Sequence, residues 1–383
     1  MTTSIDCCNL RGHGLAAVRK ISIQRLAILS LATLSFSLAA QTTAPQANTP
    51  AVAGSSSQPN SNLMQYERPD RSEKILEAAN KEGTLTLYTA FRPQDLPLII
   101  APFEAKYGIK VKAWRSGSNN VTQRVIREAA GKRPEVDVIM MPASEMEAVY
   151  REKLLQPITS PFTKDLIPIA SPPHKNWATV FMNVTVHSYN TQLIKKEELP
   201  KTYNDLLDPK WKGKLGVESK AEEWYSKVVS VMGEEKGVKY FRELITKNGM
   251  SARLGASLLH NLVIAGEVPL ALTVYIDLPE KDKRAGKPVD WFALDPVVAQ
   301  GFNIAIAQKA QHPSAALLFY DYMLSPETQK LLASLHYYPA STKVINPYPN
   351  MKIEVIDPVL TMDTFGKWTK SFDEVVIKNS SSK

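Results

Sequence analysis

The chain has 383 residues, 44% of them hydrophobic and 22% charged, with a formal net charge of +8. That length accommodates two domains with sizeable cores, and the composition is that of a globular protein rather than a disordered or fibrous one. Its lysines and arginines alternate with acids (KKEE, EEKG, EKDKR) and form no arginine-rich stripe, which argues against a nucleic-acid surface.

The first feature along the chain is a basic stretch, Arg19, Lys20 and Arg25, followed by the apolar run LAILSLATLSFSLAA from Leu26 to Ala40. The run falls short of the roughly 20 residues a membrane-spanning helix needs, and it closes on small residues. Residues 1–40 are therefore expected to be a secretory signal peptide cleaved near Ala39 or Ala40, with an uncleaved anchor as the alternative. Both cysteines, Cys7 and Cys8, lie in this leader. The remaining chain is expected to have no disulfide, no thiol nucleophile and no thiolate-bound metal, which suits a periplasmic protein. Residues 41–66, rich in Pro, Ser, Thr, Asn and Ala with no apolar period, read as a disordered linker.

From Arg71 onward helices and strands alternate. SEKILEAANKEG predicts a helix closed by Gly83, TLTLYTA a strand, DLPLIIAPFEAKYG a helix and IKVKAWRSG a strand. SNNVTQRVIREAAG predicts a helix and VDVIMMPA a strand. SEMEAVYREKLL predicts a helix that Ser144 can cap, with Glu147 completing a capping box. Short connections between parallel strands and helices give an α/β lobe. The β-branched run NWATVFMNVTVHSYNT, residues 176–191, predicts strands long enough to cross into a second lobe. That lobe contains the strand KLGVES, a helix over about 221–248, SARLGAS, a helix through His260, and the strands PLALTVYID and VDWFAL. QGFNIAIAQ reads as a return strand, and helices follow from Pro313 and around Pro326. The expected organisation is a first lobe of residues 67–188 and 301–345, a second of 189–300, and a C-terminal segment, 346–383, packed on the lobes. Ligands bind such arrangements in the interdomain cleft, at the carboxyl ends of the strands.

Catalytic signatures are missing from the sequence. There is no HExxH, GxSxG, P-loop or GxGxxG, and the histidines are scattered. His260 reads as a packed helix residue. The expectation is a binding protein without a cofactor, and a periplasmic hydrolase is the reading from another class.

Several stretches carry a family resemblance: LTLYTAFRPQDLPLIIAPFEAKYGIKVKAWRSGSNN, PEVDVIMMP, SYNTQL, DLLDPKWKGKLGV and AGEVPLALTVY, spread over about Gly83 to Ser341. Together they resemble the periplasmic solute-binding proteins of ABC importers, in the ferric-ion-binding branch. The resemblance implies a type II periplasmic-binding-protein clamshell with a hinge, and an inner-membrane ABC permease as partner. It also implies a small-molecule ligand and a monomer. The branch's metal ligands are a His after the first strand, a Glu after the third and two adjacent Tyr after the Gly-Glu turn. They correspond here to Arg92, Pro142 and about Ile276 and Asp277, with Tyr275 just before. Its anion-holding Ser-Gly-Ala turn corresponds to Ala221, Glu222 and Glu223. One tyrosine and one aspartate are a thin supply for a hard ferric ion, so ferric binding would need a divergent ligand set.

The expected ligand contacts are Arg92, Ser116, Ser118, Glu222, Trp224, Ser257, Tyr275 and Asp277. Arg92 offers a fork for a carboxylate or phosphate, or is a surface arginine. Ser116 and Ser118 lie at a helix start able to hold an anion, or cap that helix. Glu222 stabilises a helix start with or without ligand, and Trp224 can cover a cation or a planar group. Ser257 is a cap or a contact. Tyr275 and Asp277 offer a phenol and a carboxylate near the hinge. The mixture favours a small organic zwitterion, cation or phosphonate-like molecule.

Overall fold

The computed structural model describes residues 63–381, so the expected signal segment and nearly all of the linker lie outside the described residues. The first lobe is organised on β1 (Thr84–Thr89), β2 (Lys110–Arg115) and β3 (Val138–Pro142), which pair in parallel with β1 in the middle. The intervening helices are α1 (Arg71–Glu82), α2 (Leu96–Tyr107), α3 (Ser118–Ala130) and α4 (Ala143–Arg151). β3 is buried on both faces, as central parallel strands are. β2 is an edge strand with Lys110 and Lys112 exposed, a charge placement that discourages pairing with another chain.

The run over residues 176–191 forms one long strand, β4 (Ala178–Asn190), that belongs to both lobes. Its first half pairs antiparallel with β9 (Val297–Ile306), which continues to β3. Its second half pairs antiparallel with β7 (Leu270–Tyr275) and β8 (Val289–Phe292). β7 in turn pairs in parallel with β5 (Leu215–Glu218), and β5 with β6 (Ser251–Arg253). The strand order is therefore β2-β1-β3-β9-β4-β7-β5-β6, a crossover through β4 and β9 that makes these two strands the hinge.

Four apolar clusters fill the two faces of each half of the sheet. In the first lobe α1, α2 and α9 (Pro313–Leu324) cover one face, and α3 and α4 the other. α10 (Pro326–Ser334) follows, with Ser325 as its N-cap, and β10 (Tyr338–Pro339) returns to β4. Arg71 and Asp321, both buried, pair to tie α1 to α9.

The second lobe departs from expectation in two places. The helix expected over about 221–248 is two helices, α5 (Glu222–Met232) and α6 (Glu234–Asn248), because Gly233 at φ 86° turns the chain between them. The pair then packs closely at Gly237, where an added Cβ would lie 2.7 Å from the Cα of Val229. The strand ending in TVYID stops at Tyr275, and an unanticipated helix, α8 (Asp277–Arg284), starts immediately after it. α7 (Ala256–Ile264) packs on β7.

After β11 (Ile353–Val355) comes the long helix α11 (Pro358–Val375). Phe372 and Val375 enter the second-lobe core beside Tyr225 and Phe241. At its other end Asp363 accepts from Arg151 of α4 at 2.6 Å, and the carbonyl of Val359 accepts from the same arginine at 3.2 Å. A helix rooted in the second lobe thus also holds the first.

Candidate functional site

The carboxyl ends of β1, β3, β5 and β7 and the helix starts that follow them meet between the lobes. Arg92 follows β1 in the first lobe, and Asp277 opens α8 in the second. They form an ion pair in which Arg92 Nη2 donates to Asp277 Oδ1 at 2.8 Å, while Nη1 lies 2.5 Å from Oδ2 without hydrogen-bond geometry. Burial opposes the Arg92 charge most strongly, and Asp277, Tyr337, Asp95 and Tyr275 together outweigh it, so the guanidinium is held above its ordinary value. Burial pushes Asp277 up to about 6, against the pull of Arg92. Beside this pair Lys281 of α8 donates to Asp95 at 3.1 Å, and Tyr337 donates to the same carboxylate at 2.8 Å. Two of the expected ligand contacts are therefore each other's partners. The positions that the resemblance sets against a metal neutralise one another.

A group of acids also lies between the lobes. Glu145, in the first turn of α4, accepts a hydrogen bond from Ser118 at the start of α3. Facing it from the second lobe stand Glu222 and Glu223 in the first turn of α5, and Glu218 at the end of β5. Burial raises Glu145 above the usual carboxylate range. Burial, and then the charge of Glu145, push Glu223 up to about 8. Burial likewise raises Glu218, although the backbone N–H groups of Gly255 and Lys220 donate to it at 2.9 and 2.6 Å. Helix dipoles offset part of the cost of acids at the starts of α4 and α5. They do not satisfy every atom. Ser144 Oγ, Glu223 Oε2 and Gln300 Oε1 are buried without a hydrogen-bond partner. Ser144 lies against Glu223, yet the two do not complete a bond. Gln300, on hinge strand β9, spends its amide nitrogen on the Tyr275 hydroxyl at 3.0 Å.

The expected contacts thus divide. Ser118, Glu222 and Tyr275 belong to this cluster, and Arg92 and Asp277 bound it. Ser116 stands nearer the surface, its hydroxyl accepting from Asn120 at 3.0 Å. Ser257 is exposed on α7, one residue past its first position. Trp224 is a correction: it is 4% exposed and packs among Tyr203, Phe241 and Tyr225 in the second-lobe core, because its place on α5 faces α6 and Tyr203. Ser144 is a second correction, since α4 begins one residue earlier and has no side-chain cap, which leaves the hydroxyl free for the cluster. Sequence reasoning missed Glu145, Glu218 and Gln300. The first two sit at strand ends or just beyond, where ligand contacts were sought.

Ser188, His260 and Asp282 line up in a serine–histidine–aspartate sequence, with Ser188 Oγ 3.4 Å from His260 Nδ1 and His260 Nε2 3.0 Å from Asp282. Ser188 and His260 are 0% and 1% exposed within β4 and α7, so no substrate reaches the hydroxyl. Among the described residues no group of three or more His, Cys, Asp or Glu converges as a metal site.

Comparison with known proteins agrees with this architecture. The family of bacterial extracellular solute-binding proteins matches residues 99–354, and the chain belongs to it. Iron uptake protein A1 of Synechocystis is 23% identical over 69% of this chain and 78% of its own length. Iron-bound HitA from Pseudomonas aeruginosa superimposes with a TM-score of 0.66 at 21% identity, over 76% of this chain and 99% of that one. AfuA from Actinobacillus pleuropneumoniae, solved with fructose-6-phosphate, does so with a TM-score of 0.64 at 19% identity, over 77% and 99%. At these identities the structures establish the two-lobed fold. One fold carrying an iron site in one protein and a sugar phosphate in another leaves the ligand to be argued from side chains.

Proposed function

We propose that this bacterial extracellular solute-binding protein is the periplasmic receptor of an ABC importer, closing its two lobes on a small organic molecule and presenting it to an inner-membrane permease. The observation that carries the reading is the group of buried polar atoms without hydrogen-bond partners between the lobes: Ser144 Oγ, Glu223 Oε2 and Gln300 Oε1, with Arg92 Nη1 lying against Asp277 beside them. Stranding such groups costs free energy in a ligand-free protein, and a ligand that satisfies them stabilises closure by that amount. The contacts we assign to the ligand are Glu145, Glu222, Glu223, Ser144, Gln300 and Tyr275, with Ser118 orienting Glu145. Arg92 and Asp277 act as a clasp across the rim.

The apolar run at Leu26–Ala40 supports export by a cleaved signal peptide. On this reading the protein works as a monomer, binds no nucleic acid and releases its solute chemically unchanged. The burial of Ser188 and His260 supports the last point.

Native mass spectrometry of the protein released gently from its own cells tests the reading. The expected result is an added mass of a small organic molecule, lost on denaturation. An added mass of iron, alone or with an anion, would replace the organic ligand with a divergent ferric site. An empty protein that no solute library stabilises would overturn the receptor reading.

A further inference from the structure

We infer that the solute is a small organic cation carrying several N–H donors, an ammonium, amidinium or guanidinium compound, held between Glu145 of the first lobe and Glu223 of the second. This inference rests on the receptor reading above. It starts from a charge imbalance. The groups acting on Glu223 are Glu145, Ser144 and Glu222, and those acting on Glu145 are Ser118 and Glu222; none is a cation. The nearby cations are committed elsewhere: Arg92 to Asp277, and Lys281 to Asp95. Lys220 stands beside Glu218 but is exposed. Acidic side chains at helix starts would by themselves indicate no ligand, since the helix dipole accommodates them.

The hydrogen-bond inventory is an independent observation. Ser144 is 97% buried by its 3% exposure, and its hydroxyl is partnerless against Glu223. Beside it, Glu223 Oε2 and Gln300 Oε1 are acceptors without partners, and the one donor, Arg92 Nη1, already faces the Asp277 carboxylate at 2.5 Å. A ligand that satisfies the Glu223 and Gln300 oxygens brings donors. An anionic ligand would add a further negative charge to acids that burial already penalises. A cationic donor satisfies the acceptors and the charge together.

The two carboxyls also predict how binding is felt. Burial raises both, Glu223 to about 8, so near neutral pH the empty site retains a proton that an arriving cation displaces.

The test is calorimetry and thermal shift on the full-length secreted chain, stripped by unfolding and refolding, with four kinds of probe: 1,4-diaminobutane and agmatine, inorganic phosphate, D-glucose, and ferric citrate. The native solute recovered from the undenatured protein is identified in parallel. Saturable binding of a cationic probe, or a basic native solute, is expected. Proton release at neutral pH should appear as a dependence of the heat on buffer ionisation. E223Q and E145Q, which keep shape and remove charge, should each weaken cation binding about tenfold or more, the scale of a lost charged hydrogen bond. Should one variant fail to fold, the other and the proton count decide. Binding of phosphate, glucose or iron to the exclusion of the cations, or a native solute that is not basic, overturns the cation and leaves the receptor standing. A protein that leaves its cells empty and takes up none of the probes overturns both.

Discussion

Arg92 and Asp277 reach each other from opposite lobes and form a paired, nearly buried salt bridge at 2.8 and 2.5 Å, with side chains 15% and 6% exposed. Removing one partner of a buried pair within a single core typically costs about 3–5 kcal/mol, because the remaining charge is stranded. Here the stranded arginine has an escape: opening the cleft returns it to water. D277N is therefore expected to shift the ligand-free protein toward an open form, with a larger radius of gyration by small-angle scattering and a modest loss in melting temperature. The double variant R92M/D277L, which leaves no stranded charge, should stay as compact as the parent. A D277N protein with the parent's scattering profile would show that the pair does not hold the lobes.

Trp224 separates a ligand role from a packing role. It lies in the second-lobe core, 4% exposed and edge-on to Phe241 at 5.6 Å between ring centroids. W224A should cost about 3–5 kcal/mol in urea unfolding, as large aromatic truncations in cores do. At temperatures where the variant is folded, its affinity for the solute should change little. A variant of near-parental stability with abolished binding would return Trp224 to the cleft wall.

Trp224 also illustrates what the sequence could and could not convey. The first lobe was legible because each strand was a short apolar run closed by a turn and each helix had its own period, as in TLTLYTA and SNNVTQRVIREAA. The crossing strand was legible from its length. The break at Gly233 was hidden, since EEKG continues a helical pattern and only the backbone turn at that glycine ends it. In the site, strand ends located the cleft, but pairing across it was invisible: nothing local says that Arg92 will meet Asp277, 185 positions later. The direction of a side chain on a helix's first turn was equally hidden. Within α5, Glu223 faces the gap and the next residue, Trp224, faces the core, a difference of one residue in register.

Gly237 tests how closely α5 and α6 must approach. A Cβ there would lie 2.7 Å from the Cα and 2.9 Å from the carbonyl oxygen of Val229. Alanine would gain about 1 kcal/mol of helix propensity over glycine. Overpacking against backbone typically costs about 1–3 kcal/mol, so G237A is expected to be net destabilising in urea unfolding. V229A should not rescue it, because the obstructing atoms belong to the main chain. A G237A protein more stable than the parent would mean that the two helices separate without cost.

The acids between the lobes give closure a pH dependence whose sign follows from their burial. Glu223 is raised to about 8 by burial, then by Glu145, with Ser144 and Glu222 as its other neighbours, and Glu145 is raised by burial. A carboxyl that is harder to ionise in the closed form favours that form while it is protonated. Its contribution is complete below the ordinary carboxyl range, about 4.3, and is lost as pH rises through the folded value. The ligand-free protein should therefore be most compact and most heat-resistant near pH 5 and loosen toward pH 8, as followed by scattering and melting temperature. E223Q cannot ionise, so it should flatten the upper part of that curve. Parallel curves for E223Q and the parent would mean that Glu223 meets water in the empty protein, and that closure does not desolvate it.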